Sequence, residues 1–93
     1  MKNIDLGRKV DYQTLETALL GAAKEVGWRA KISKRDHIDI DLKGWIFPAM
    51  RVTIHDKQPT EHLFIWNDCY CGYASDKKIQ RYLDAVTKNL ECS

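Results

Sequence analysis

The residues with reactive side chains fall into three sets, and their spacing limits what each set can do. Asp39 and Asp41 lie two apart, where a strand would set them side by side as an acid–base pair needs. The strand pairing read below gives each a cationic neighbour, which favours the ionised form and suits an ion pair better than a proton donor. His55 and His62 fall opposite each other in the register that buries Ile54 against Leu63, and Cys69 and Cys71 add thiols on the same side. Imidazole and thiolate are zinc ligands. A single residue between the cysteines is nevertheless short of the roughly two to four usual at zinc sites, and the cysteines lie at the far end of that hairpin. Cross-strand histidines beside a loop are ordinarily plain surface residues. Cys71 as a nucleophile would need a base beside it, and the sequence places none. With no glycine-rich phosphate loop, no G-x-S-x-G and no H-E-x-x-H, neither an enzyme nor a metal or other cofactor is expected. The third set is aromatic and cationic: Phe47, Phe64 and Trp66 with Arg51, and Arg29 with Lys31.

The elements that must position these residues can be read from periodicity. Tyr12, Leu15, Leu19, Ala22, Ala23 and Val26 recur at helical spacing. Asp11 is placed to cap that helix, Val10 and Leu15 to staple it, and Gly27 to close it. Gly21 within it costs about 1 kcal/mol relative to alanine, which a close approach to the sheet or another helix would explain. A second helix, from about Asp76 to Leu90, starts at Ser75 and carries Ile79, Tyr82, Leu83, Val86 and Leu90 inward. Lys77, Lys78, Arg81 and Lys88 line its solvent side.

Between the helices the period changes to two. Trp28, Ala30 and Ile32 alternate with Arg29, Lys31 and Ser33, and Ile38, Ile40 and Leu42 with His37, Asp39 and Asp41. A connection at Lys34-Arg35-Asp36 sets Lys31 opposite Asp39, Arg29 opposite Asp41, Ile32 opposite Ile38 and Ala30 opposite Ile40. The next strand carries Met50, Val52 and Ile54 inward, with Phe47, Ala49, Arg51, Thr53 and His55 outward. After a turn at Lys57-Gln58-Pro59-Thr60, Leu63 and Ile65 point inward and His62, Phe64 and Trp66 outward. A tight turn at Asn67-Asp68 leads to a short strand, Cys69 to Gly72, and Ile4 and Leu6 suggest a leading edge strand.

The expected fold is thus one α+β domain over residues 1–93, a two-layer sandwich of order (β)-α-β(4-5)-α with both helices on one face of an antiparallel sheet. Ninety-three residues leave no room for a second core. No apolar run approaches the ~20 residues of a membrane helix, and the first residues lack the apolar stretch of a signal peptide, so a cytoplasmic protein without a membrane partner is expected. Three cysteines and no export signal suggest reduced thiols. A net charge of +2 neither demands nor excludes nucleic acid.

Function is then most naturally written on the uncovered sheet face. There Phe47, Phe64 and Trp66 beside Arg51 could stack on bases, meet a second copy or another protein, or be covered by the chain's own tail. Self-association or partner binding is the leading expectation, and nucleic-acid binding the alternative.

Several motifs resemble one half, a single repeat, of the TATA-box-binding protein family. Leu6-Gly7-Arg8-Lys9-Val10-Asp11-Tyr12-Gln13-Thr14-Leu15 resembles that family's passage from first strand to first helix. Phe47-Pro48 resembles the Phe-Pro that opens a central strand, and Phe64-Ile65-Trp66 its Leu-Ile-Phe. Cys69-Tyr70-Cys71-Gly72-Tyr73-Ala74-Ser75-Asp76 resembles its last strand and the start of its closing helix. The resemblance implies a TBP-like fold, a DNA-kinking role for Phe47 and Trp66, and groove-facing positions for Cys69 and Cys71. It also implies that a single repeat would dimerise to complete the family's saddle.

Overall fold

Asp11 sets where the first helix begins. Its backbone is extended, and its carboxylate accepts from the Thr14 amide (3.3 Å) and the Thr14 hydroxyl (2.6 Å). In the computed structural model, which describes residues 2–55, 60–66 and 74–91, this cap opens helix α1 (Tyr12–Glu25). Gly27, at φ +83°, closes it: Gly27 N–H donates to the Lys24 carbonyl and Trp28 N–H to that of Ala23, the paired bonds of a Schellman ending. Helix α2 (Asp76–Glu91) starts from Ser75, whose hydroxyl accepts from the Lys78 amide.

The helices bury Leu15, Ala18, Leu19, Ala22 and Ala23 from one side and Ile79, Tyr82, Ala85, Val86 and Leu90 from the other. Two polar contacts join them: the Tyr82 hydroxyl donates to the Leu19 carbonyl (3.1 Å), and the Asn89 amide to that of Ala18 (3.2 Å). Burial pushes the Tyr82 phenol well up. A Cβ at Gly21 would stand 3.1 Å from the Asn89 side chain, so the glycine serves the close approach of α2, as its position suggested.

Five strands make one antiparallel sheet: β1 (Lys2–Val10), β2 (Arg29–Lys34), β3 (His37–Lys43), β4 (Pro48–His55) and β5 (Thr60–Trp66), in the order β1-β5-β4-β3-β2. Ile40, Leu42, Met50, Val52, Ile54, Leu63 and Ile65 point to the helices and are fully buried. The expected core thus forms, with Trp28 against Tyr82 (ring centres 5.4 Å apart). Ile32 is only half-buried and Ala30 exposed, because β2 is an edge strand at the margin of helix cover.

Three expectations need correction. The β2–β3 connection lies one residue later than the spacing suggested, so Lys31 faces Asp41, Ser33 faces Asp39, Ile32 faces Ile40 and Arg29 faces Lys43. Moving the turn by one residue moves the register by two, which changes partners and preserves faces. Lys34 thereby joins the strand, and its ammonium lies 4.9 Å from the centre of the Tyr12 ring, a cation–π contact. Second, the leading strand is longer than Ile4 and Leu6 indicated, with a register shift between Asp5 and Val10 that spans Gly7 at φ +75°. Third, Phe47 is not part of the outward row of β4. The pairing passes from Leu42↔Met50 to Lys43↔Pro48, leaving Ala49 as a bulge, and Phe47 closes the turn that precedes the strand. The expected turns at 57–59 and 67–68 and the strand Cys69 to Gly72 lie outside the described residues. Among the described residues, no helix is long and apolar enough to cross a membrane.

Two substitutions test how the ends of α1 are held. Gly27→Ala has open space for its methyl but a left-handed backbone, and should lower unfolding free energy by roughly 1–2 kcal/mol in urea titrations with an unchanged slope. The Thr14 hydroxyl, and then the Thr14 amide, hold the Asp11 carboxyl below its ordinary value. Its stabilisation is therefore complete above the ordinary carboxylate range and lost as pH falls through the depressed value. Asp11→Ala should be less stable than the parent at neutral pH, and thermal melts of the two should converge in strong acid.

Candidate functional site

The uncovered face carries the odd-numbered positions of β3 and the main run of β4, and the even-numbered ones of β5. Register sets His37 opposite His55, Asp39 opposite Thr53, Asp41 opposite Arg51, Thr53 opposite Phe64 and Arg51 opposite Trp66. These side chains enclose a shallow depression of about 370 Å³ lined by His37, Asp39, Arg51, Thr53, His55, Phe64 and Trp66.

One hydrogen-bonded chain organises it. The Trp66 indole N–H donates to the Thr53 hydroxyl (3.0 Å), and that hydroxyl donates to Asp39 Oδ1 (2.8 Å). The other carboxylate oxygen lies 3.1 Å from His37 Nε2. An ionised carboxylate only accepts, so this imidazole nitrogen carries the proton. Asp39 thus receives a bond on each oxygen from two different strands. Beside it, Arg51 Nε donates to Asp41 Oδ1 (2.6 Å), and Lys31 of β2 stands opposite Asp41 in register. The His55 ring meets Phe64 edge-on at 4.7 Å.

The Thr53 proton is directed at a carboxylate and not at an imidazole, so His37 does not activate the hydroxyl as a nucleophile. The Asp39–Asp41 pair is divided between separate partners, but not those expected: Asp41 pairs with Arg51 in place of Arg29, and Asp39 is held by Thr53 and His37 in place of Lys31. Among the described residues, no group of three or more metal-ligating side chains is assembled.

Of the residues singled out from sequence, Arg51, Phe64 and Trp66 meet in the depression, while Lys31 stands opposite Asp41 in the β2–β3 register and does not line it. Arg29 does not: its guanidinium donates to the Trp45 carbonyl (3.3 Å) at the end of the sheet. Phe47 does not either. It lines a separate groove of about 470 Å³ with Trp28, Trp45, Ile46 and the start of α2. Cys69 and Cys71 lie outside the described residues. His62 faces Asp5 of β1. Sequence reasoning passed over Trp45 and Ile46, which with Phe47 are the exposed large apolar side chains among the described residues. Three bulky apolar residues without alternation, bracketed by Gly44 and Pro48, signal that the strand pattern is interrupted there, though not which of them leaves the pairing.

The fold and site define a two-layer α+β domain with a preorganised polar–aromatic depression on the sheet face opposite its helices. In comparison with known proteins, no family model matches the chain, and neither a curated protein nor a solved structure does.

Thr53 is the link on which the depression depends. Thr53→Val keeps the shape and removes the hydroxyl, stranding the Trp66 donor and one Asp39 oxygen. Unfolding free energy should fall by about 1–3 kcal/mol. A double-mutant cycle with Trp66→Phe should show coupling of at least about 0.5 kcal/mol, whereas additive losses would mean that the hydroxyl does not join the two strands.

Proposed function

We propose that the protein is a non-enzymatic binding module that takes its partner on the open face of its sheet, in self-association or with another protein. The depression around Asp39, Thr53, Phe64 and Trp66 carries this reading, since its aromatic walls and polar floor are already ordered on a face that no helix covers. Charge supports a protein partner. Asp39 and Asp41 alternate with His37, Lys31 and Arg51, so the face presents both signs at short range. A two-fold contact brings a patch against its own copy, and mixed charge can satisfy itself there where a single-sign patch cannot.

The test is mass against concentration by light scattering. A standard dimer buries about 800 Å² per partner, and Phe64→Arg, placed in that area, should shift the chain to monomer without loss of its circular-dichroism spectrum. A parent chain that stays monomeric at the highest concentration and captures no protein through this face would end the reading.

A second reading, nucleic acid on the same face, is favoured by one observation: Phe64 and Trp66 stand two residues apart on a single open strand face. The element order β-α-β-β-β-β-α supports the TATA-box-binding type of arrangement on which that reading draws. Affinity would then fall steeply with salt, and Trp66→Ala would cost about 1–3 kcal/mol of binding. Asp41→Asn would strengthen binding by removing negative charge. Absence of binding at low salt would exclude it.

A further inference from the structure

The turn between β3 and β4 carries a second surface, separate from the open-face depression. Trp45, Ile46 and Phe47 are 87%, 59% and 65% exposed in succession. The tip is held in shape: Gly44 N–H donates to the Phe47 carbonyl (3.0 Å), and Arg29 donates to that of Trp45. The core closes without these three side chains. Scattered exposed apolar residues are ordinary, but three bulky ones in sequence on a fixed tip mark a contact surface.

The surroundings of the tip select the partner. Lys43 immediately precedes it and stands opposite Arg29, and Lys78 lines the adjoining groove. Lys77 and Arg81 continue the positive charge along α2, against Asp76 and Asp84 on the same stretch. Three cations, Arg29, Lys43 and Lys78, thus stand beside this apolar projection. Two copies meeting tip to tip would set Arg29 and Lys43 against their own equivalents, which disfavours a second copy. A partner that stacks bases would use the two rings and leave Ile46, between them, without a role. An anionic lipid surface uses every part. Ile46 and Phe47 enter the acyl boundary, the Trp45 indole sits at headgroup level, and the long cationic side chains remain among the phosphates.

We propose that the Trp45–Phe47 turn is a peripheral anchor for membranes rich in anionic lipid, with Arg29, Lys43 and Lys78 contacting the headgroups. Such attachment needs no spanning helix, so the sequence expectation of no membrane partner, which rested on the lack of one, does not bear on it. The anchor uses none of the residues of the open-face depression.

Flotation of the whole chain with vesicles tests it, using phosphatidylcholine alone and phosphatidylcholine mixed with phosphatidylserine. Binding should require phosphatidylserine and weaken with salt. Ile46→Asp should reduce it at least tenfold, and Lys43→Gln and Lys78→Gln by about fivefold each, one elementary charge near the surface. These side chains lie outside the core, so melting curves confirm that each variant is folded. Tryptophan emission should shift to the blue on vesicles in the parent and not in Trp45→Phe. Phe64→Arg should bind vesicles as the parent does, which separates failure of this proposal from failure of the open-face reading. No flotation at low salt overturns the proposal, as does flotation indifferent to Ile46→Asp, which would leave the contact to the basic side of α2. If the parent does not float but Ile46→Asp dissociates a dimer or abolishes binding to a short DNA duplex, the tip belongs to that partner instead.

Discussion

Two helices cover one side of this sheet, and that one-sided cover sets the conditions for every strand. On the covered side, Ile40, Met50, Val52, Ile54, Leu63 and Ile65 lose all contact with water, and each such side chain contributes about 1.5–3 kcal/mol relative to exposure. A shift of one residue in any of these strands would exchange that set for Asp39, Arg51, Thr53 and their neighbours. Burying an unpaired charge costs far more than the hydrophobic gain it would displace. The alternation is therefore held from the covered side, and the open face inherits its order from it.

That inheritance explains why the polar side chains of the open face are organised although neither helix lies above them. Strand neighbours stand about 5 Å apart, close enough for Thr53 to bridge Asp39 and Trp66 across three strands. Because each bond runs between different strands, the chain of bonds ties β3, β4 and β5 together where no helix does. The Trp66 ring is held by its own N–H and Phe64 by its contact with His55, so the aromatic surface is ordered within the domain itself.

The sheet's margins are less suited to contact. β2 carries Lys31 and Lys34, and β1 carries Arg8 and Lys9 with a register shift spanning Gly7, and charges and irregularities of this kind discourage strand addition by another chain. The end of the sheet differs. At the β3–β4 connection the bulge at Ala49 turns the chain out of the pleat, and Trp45, Ile46 and Phe47 project where alternation would have placed a single outward aromatic.

How much of this was legible in the sequence follows from the range of the interactions involved. Both helices, their caps at Asp11 and Ser75, the closing Gly27 and the facing of nearly every strand residue depend on neighbours within a few positions, and periodicity alone determined them. The face shared by Arg51, Phe64 and Trp66 was readable for the same reason. Which residues stand opposite each other was not. Moving one turn by a residue preserves every face and changes every partner, so Lys31 meets Asp41, and Asp39 is left to Thr53 and His37. The removal of Phe47 from the aromatic row likewise needed the tertiary structure. A bulge adds a residue to one strand only, and nothing in the local pattern of Gly-Trp-Ile-Phe-Pro says whether the extra residue is taken up before the pairing begins or within it.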